Sequence, residues 1–166
     1  TVVLVEDTRR ALLDYARHVL RRRSVAVVGV TGSVGKTSTK EAIAAVLGVR
    51  EPVFRNYGNY NGRYGLPIAL GRLGDAERIA VLEMASDSLG EIRDLVDATR
   101  PRVGVVTRIG ASHLEFFGSL DETAREKAAL VAGLPPDGVA VLNGDDPHVR
   151  AMAGRTRARV IRYGRE

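Results

Sequence analysis

The sequence predicts an α/β fold in which a mostly parallel sheet carries helices on both faces. Three observations favour this class. Short apolar runs alternate with longer runs of helical periodicity along the whole chain. The apolar runs are continuous, which is typical of strands buried on both faces. A glycine-rich segment joins one such strand to the helix that follows it, and 166 residues with 45% hydrophobic composition suit one domain with an ordinary core.

The first predicted elements have recognisable boundaries. A short strand at residues 2–5 precedes a helix at residues 8–23, which ends on three arginines, where the helix dipole favours cations. A buried strand at residues 25–30 leads through the glycine-rich segment into a helix at residues 37–47, which Gly48 ends.

The rest of the chain continues this alternation. Further strands are predicted at residues 79–83, 103–107, 139–142 and 160–163. Short helices are predicted at residues 66–73 and 147–152, and longer ones from capping boxes at residues 88–91 and 119–122, the second running to about residue 132. Residues 135–138 read as a turn.

Composition limits the classes of function. The sequence has no cysteine, no apolar run long enough to span a membrane and no leader pattern, so we expect a cytoplasmic protein that does not enter a membrane. The net charge is +5, but the arginines are scattered apart from Arg21 to Arg23, and we expect no nucleic-acid partner. Because the chain lacks an initial Met, we expect it to be a piece of a longer protein.

The glycine-rich segment indicates a P-loop-type nucleotide-binding domain. It consists of Thr31, Gly32, Ser33, Val34, Gly35, Lys36, Thr37 and Ser38. Such a loop directs N–H groups at an anion beside a helix N-terminus, a lysine reaches the terminal phosphates, and a hydroxyl suits Mg²⁺. Val30 occupies the position where the strict pattern has its first glycine, so an ordinary strand–helix turn is the alternative.

Several polar residues follow predicted strands, at the edge where parallel sheets bind ligands. Glu83 ends one strand beside the loop and is a candidate Mg²⁺ ligand, the alternative being a solvated strand end. Asn143 directly follows the strand at residues 139–142. His113 follows the strand at residues 103–107, and a structural role competes there with a ligand role.

Lys127 falls on the apolar side of its predicted helix. By helical spacing it shares a face with Leu120, Ala124, Ala128 and Val131, whereas Glu122, Arg125 and Glu126 fall on the other side. A charge on such a face is costly unless it is paired or neutralised. The lysine stem could reach water, the ammonium could form a buried ion pair, or CO2 could convert the amine to a carbamate that binds metal.

Several motifs in register resemble the Mur ligases, which are ATP-dependent amide ligases of peptidoglycan synthesis. The resemblance covers about residues 24–150. The matching motifs are the glycine-rich segment with Val30 before it, Lys127, and residues 58–61, 65–67, 81–84, 90–92, 100–101, 113–119 and 142–147.

The resemblance implies a three-domain enzyme. Residues 1–23 would lead in from a missing N-terminal domain, residues 24–166 would form the central ATP-binding domain, and the C-terminal domain would be absent. The partners would be ATP, a UDP-muramoyl-peptide-type substrate, an amine such as D-alanyl-D-alanine and the flanking domains of the same enzyme. The domain alone would be inactive in ligation.

Roles also follow from the resemblance. Thr31 to Ser38 would cradle the phosphates, Lys36 would stabilise the γ-phosphoryl group and Asn143 would contact adenine. The implied metal ligands are Thr37 and Glu83 for one Mg²⁺, and His113 and a carbamylated Lys127 for a second. Asn59 and Asn61 would lie in a substrate loop. The implied catalytic residues are Lys36, Glu83, His113 and Lys127.

The sequence departs from the family pattern near the substrate positions. Gly62 and Arg63 stand where the pattern has Asn and an acid, Asp87 and Ser88 replace Asn and His, and Arg108 replaces Asn. Two alternatives therefore stay open. One is a related ligase of the folylpolyglutamate or cyanophycin synthetase type, and the other is a non-catalytic nucleotide-binding module.

Overall fold

The computed structural model describes residues 2–110 and 117–165. In these ranges six strands form one parallel sheet in the order β2-β3-β1-β4-β5-β6. The strands are β1 (Ala26–Thr31), β2 (Val53–Arg55), β3 (Ile79–Glu83), β4 (Val103–Val106), β5 (Val139–Asn143) and β6 (Arg159–Tyr163). The central strand β1 lies between β3 and β4, so their carboxyl ends form one edge around the loop that follows β1.

The described helices connect these strands. They are α1 (Thr8–Arg23), α2 (Lys36–Leu47), α3 (Gly65–Leu70), α4 (Glu91–Thr99), α5 (Leu120–Ala132) and α6 (Pro147–Ala151), with a 3-10 turn at Met152–Arg155. None of them is long and apolar enough to cross a membrane.

The two faces of the sheet are covered unequally. The larger core lies on the face covered by α1, α3, α4, α5 and α6. On the other face, Ile43, Ala44 and Leu47 of α2 pack against strand residues that include Val30 and Val81. Among the described elements α2 alone covers that second face, so helices lie on both sides, as the sequence predicts, but in unequal number.

Helix α5 lies close to the sheet because two strand positions opposite it are glycine. A Cβ atom at Gly29 would lie 2.9 Å from Leu130, and one at Gly104 would lie 3.1 Å from the same side chain. These distances are tighter than ordinary carbon contacts, so the glycines permit the approach. The close packing brings the helix that carries Lys127 over β1 and β4.

The elements expected from the sequence contain three errors, which are two wrong predictions and one missed strand. Residues 2–5 are not a strand but exposed coil, and they make no ladder in the described sheet. Strand β2 was not predicted, because three residues after a proline give too short a periodic signal. The third error concerns the start of α4, where the N-cap is Gly90 and not Ser88.

Candidate nucleotide site

The glycine-rich loop joins β1 to α2, as predicted. Gly35 is the N-cap of α2 with φ of 82°, a conformation that glycine adopts without strain. Gly32 has φ of 144°, and a Cβ atom there would overlap the Thr107 hydroxyl. That hydroxyl lies 2.7 Å from the Val34 carbonyl oxygen and 3.2 Å from that of Thr31. The first residue after β4 therefore holds the loop from one side.

The polar side chains of the loop bond to its surroundings. The Thr31 hydroxyl donates to the Met84 carbonyl at 2.8 Å, and the Ser33 hydroxyl donates to the Gly110 carbonyl at 3.2 Å. The Ser33 N–H group donates to the Arg108 carbonyl at 2.6 Å. These contacts hold the loop between the ends of β3 and β4.

Lys36 turns back over the loop. Its Nζ lies 2.9 Å from the Gly32 carbonyl oxygen and 3.1 Å from that of Ser33. Burial lowers the pKa of Lys36, and the negative charge of Glu83 partly opposes that shift. The ammonium is thus held at the mouth of the loop, where the terminal phosphates of a nucleotide would lie.

Glu83 is buried at the end of β3 rather than solvated, with 3% of its surface exposed. The Thr37 hydroxyl donates to Glu83 Oε2 at 2.8 Å, and the Asn61 amide donates to Oε1 at 2.9 Å. The register of β1 and β3 pairs Val30 with Glu83, so the carboxylate lies beside the start of the loop. Hydroxyl and carboxylate oxygens are the donors that Mg²⁺ prefers, so this pair fits the predicted cation.

Asn56 fixes the backbone around Glu83. Its Oδ1 accepts from the Glu83 N–H group at 2.8 Å, and its Nδ2 donates to the carbonyl oxygens of Glu83 at 3.0 Å and Tyr60 at 2.8 Å. Asn61, five residues further on, reaches the carboxylate. Asn59 is exposed in the same segment, so this loop brings one of its two predicted substrate residues to the site.

Lys127 is buried, as its position in the apolar stripe predicts. Its side chain is 3% exposed and lies over the Phe117 ring. Desolvation and, to a lesser extent, the nearby positive charge of Lys36 lower the pKa of Lys127 to about 8, and the negative charges of Glu126 and Asp87 partly oppose this shift. The lowered pKa makes the neutral amine more populated near physiological pH than in an ordinary lysine.

Glu126 corrects the predicted pattern of α5. It was placed on the solvent side, yet it is only 4% exposed. Its carboxylate accepts the N–H groups of Gly90 at 2.6 Å and Ile92 at 2.7 Å. Glu126 thus caps α4 from a different helix, which explains why Ser88 is not needed for that purpose.

Two predicted site residues remain, Asn143 and His113, and only Asn143 lies within the described residues. Asn143 lies at the end of β5, where its Nδ2 donates to the Thr107 carbonyl at 2.8 Å and its Oδ1 accepts from Asp145 N–H at 3.0 Å. His113 lies outside the described residues. Within the described ranges no three His, Cys, Asp or Glu side chains form a metal-binding group.

Sequence reasoning missed three buried residues of the site: Lys40, Asn56 and Glu126. A signal existed for Lys40, since it lies one turn after Lys36 and three residues after Thr37 on the same helix. Asn56 lies two residues before the motif at residues 58–61 but carries no motif of its own. Its partner Glu83 is 27 residues away, a separation that periodicity does not report.

The fold and the site together define a class: a parallel α/β domain with a phosphate-binding loop next to a buried carboxylate. The chain belongs to the Mur ligase family, because the family model described as "Mur ligase middle domain" matches residues 30–166. The family resemblance is therefore confirmed.

Several relatives carry the name of one ligase. The chain is 42% identical over 146 residues to UDP-N-acetylmuramoyl-tripeptide--D-alanyl-D-alanine ligase of Bacillus subtilis, covering 88% of this chain and 32% of that protein. Two MurF crystal structures have the same fold. That of Acinetobacter baumannii matches with a TM-score of 0.93 and 29% identity over 98% of this chain and 36% of that one. That of Thermotoga maritima in complex with ADP matches with a TM-score of 0.91 and 37% identity over 99% and 38%. The chain therefore spans about a third of the length of these proteins.

Proposed function

We propose that the chain is the ATP-binding middle domain of an ATP-dependent amide ligase that makes peptidoglycan precursors in the cytoplasm. The observation that carries the proposal is the phosphate-binding loop next to the paired oxygens of Thr37 and Glu83. The names of the relatives support a UDP-N-acetylmuramoyl-tripeptide as the acid and D-alanyl-D-alanine as the amine. Residues 1–23 would lead in from an N-terminal domain, and a C-terminal domain would complete the enzyme.

The chemistry of such a ligase proceeds in two steps. A carboxylate oxygen of the acid attacks the γ-phosphorus of ATP, and ADP leaves with the electron pair of the broken P–O bond. The amine then attacks the acyl carbon of the resulting acyl phosphate. The tetrahedral adduct expels inorganic phosphate, the nitrogen loses a proton, and an amide bond remains.

The residues of this chain would act mainly through positioning and charge, as in other phosphoryl transfers. The loop from Thr31 to Ser38 would hold the phosphates, and Lys36 would move from the loop carbonyls to the γ-phosphoryl oxygens. Thr37 and Glu83 would hold Mg²⁺, which neutralises charge on the β- and γ-phosphates when bound.

A second cation would involve Lys127 and His113. The neutral Lys127 amine would attack CO2, form an N–C bond and lose a proton, and the carbamate would offer two oxygens to a metal ion. The lowered pKa supports this reaction, because only the neutral amine is nucleophilic. Intact-mass measurement of the chain equilibrated with bicarbonate should then detect one added CO2, and Lys127→Met should abolish it.

Two further contacts complete the proposal. Asn143 would contact adenine from the end of β5, using the amide hydrogen that does not bond to Thr107. Asn59 and Asn61 would line the substrate side, since their loop lies against Glu83.

Calorimetric titration of the chain with Mg-ATP tests the nucleotide site. Lys36→Ala should weaken binding about tenfold or more, because a charge-assisted contact to phosphate is lost. Arg93→Ala is the matched control, since it removes one positive charge from an exposed pair with Asp97. Equal affinities for the natural chain and Lys36→Ala would contradict the proposed phosphate site.

A substrate panel on the longer protein that contains this chain tests the ligation. Phosphate release that requires both the UDP-muramoyl-tripeptide and D-alanyl-D-alanine is expected. Release with a folate and glutamate would instead indicate the related ligase, and no release with any acid–amine pair would indicate a non-catalytic nucleotide-binding module.

A further inference from the structure

Lys40 is a buried cation that the proposed chemistry does not use. It lies in α2 with 1% of its surface exposed. Its Nζ donates to the Asn56 carbonyl at 2.6 Å and lies 3.2 Å from Glu41 Oε1 and 3.9 Å from Glu83 Oε2. A fully buried ammonium is costly unless it is paired. These three oxygens provide the compensation, and one of them belongs to the proposed metal ligand.

Lys40 contacts both the residue that holds the Glu83 backbone and the Glu83 carboxylate itself. Asn56 binds the Glu83 backbone on both its N–H and its carbonyl group, and the Asn56 carbonyl in turn accepts from Lys40. The Glu83 carboxylate receives Thr37 on one oxygen and Asn61 on the other, with Lys40 beside the Thr37-bound oxygen. One hydrogen-bonded network therefore fixes both the backbone and the side chain of Glu83.

We propose that Lys40 is a positioning residue that holds the Glu83 carboxylate ready for a divalent cation. The inference rests on the proposed metal role of Glu83. The ammonium balances the buried negative charge before a cation arrives. When a cation takes over Glu83, the Lys40 ammonium keeps its hydrogen bond to the Asn56 carbonyl at 2.6 Å. Lys40 itself touches neither the nucleotide nor the reacting atoms in this scheme.

The factor by which Mg²⁺ strengthens ATP binding distinguishes a positioning role of Lys40 from a merely structural one. Affinity for ATP is measured on the 166-residue chain by calorimetry with Mg²⁺ and with a chelator, and the ratio of the two dissociation constants is compared among variants. Lys40→Met retains the length and volume of the buried stem but removes the charge. Glu41→Gln is the matched control, because it alters the other carboxylate next to Lys40 and leaves Glu83 untouched. Glu83→Gln gives the ratio expected when the metal ligand itself is lost.

Lys40→Met should reduce the Mg²⁺ ratio about tenfold, the size typical of losing a group that orients a metal ligand. Its affinity for ATP without metal should equal that of the natural chain, and Glu41→Gln should retain the full ratio. If Lys40→Met weakens binding equally with and without Mg²⁺, Lys40 is only structural and the inference fails. The same conclusion follows if its ratio is unchanged.

Two controls keep this test independent of folding and of the proposed function. If Lys40→Met does not unfold cooperatively on heating, Lys40→Gln carries the same comparison. If the natural chain binds ATP with no Mg²⁺ dependence, the proposed metal role of Glu83 fails and the inference fails with it. A Mg²⁺ dependence that Glu83→Gln abolishes and Lys40→Met preserves would overturn the inference alone.

Discussion

Lys127 is a buried lysine, and the surrounding acidic groups do not fully offset the cost of burying its positive charge. Burial holds its pKa at about 8, below the ordinary 10.5. Well below pH 8 the amine is protonated in the folded and unfolded chain alike, and the folded chain bears the full cost of burying the charge. Between pH 8 and 10.5 the unfolded chain binds more protons, so this residue makes stability rise with pH across that window.

Lys127→Met should therefore stabilise the fold at pH 7, by at most about 3 kcal/mol in the free energy of unfolding. The gain should shrink as the pH rises from 8 to 10.5. Urea unfolding in CO2-free buffer at pH 7 and pH 10 measures the difference. Arg125→Met on the exposed side of the same helix is the control, and an equal gain at both pH values for Lys127→Met would contradict the prediction.

Gly32 is the residue of the loop that tolerates a side chain least. Gly32→Ala combines a φ of 144° with a methyl group that overlaps the Thr107 hydroxyl. The variant should lose on the order of 1–3 kcal/mol of stability and bind Mg-ATP more weakly, because the loop must deform. Thermal unfolding and calorimetry measure both effects. Gly62→Ala, with no atom within 4 Å of the added Cβ, should change neither.

Among the elements, α4 depends on its neighbour for its first turn. Glu126→Ala removes the acceptor of the partly buried Gly90 N–H group and of the buried Ile92 N–H group, so the free energy of unfolding should fall by about 1–3 kcal/mol. Ser88→Ala should have no measurable effect, although the sequence pattern assigns the cap to Ser88. Denaturant unfolding of the two variants decides between the caps, and a larger loss for Ser88→Ala would reverse the assignment.

The elements also illustrate what the sequence could predict. Local patterns sufficed for α1 and β3, whose bounds agree with the prediction, and for the strand–loop–helix unit that carries Lys36 and Thr37. The N-cap role of Ser119 was predicted too, since its hydroxyl accepts from Glu122 N–H at 3.1 Å. Contacts made over long separations were not predicted. Glu126 reaches residues 34 and 36 positions away, and helical periodicity alone placed it on the wrong side.

For the whole molecule, the uneven cover of the sheet leaves apolar surface accessible. On the face that α2 covers, Val46 is 73% exposed beside a groove lined by Val103, Val141 and Tyr163. Exposed apolar patches of this kind favour association between molecules.

Val46→Lys should reduce self-association at high protein and sulfate concentration while changing stability by less than about 0.5 kcal/mol. Sedimentation velocity measures the association, and thermal unfolding measures the stability. Val49→Lys adds the same charge at a position that is 84% exposed but outside the groove, and it should leave association unchanged. An equal effect of both substitutions would mean that net charge, and not this face, controls the association.

The positions of the lysines allow local unfolding of two helices to be followed by proteolysis. All three lysines lie in α2 or α5, and two of them, Lys40 and Lys127, are almost fully buried. A protease that cuts only after lysine needs an unwound segment, so it should leave the native chain intact while an arginine-specific protease finds many exposed sites. Each lysine-specific cut would therefore record the opening of a helix that contributes to the candidate nucleotide site. The rate of cutting would follow the open population of that helix.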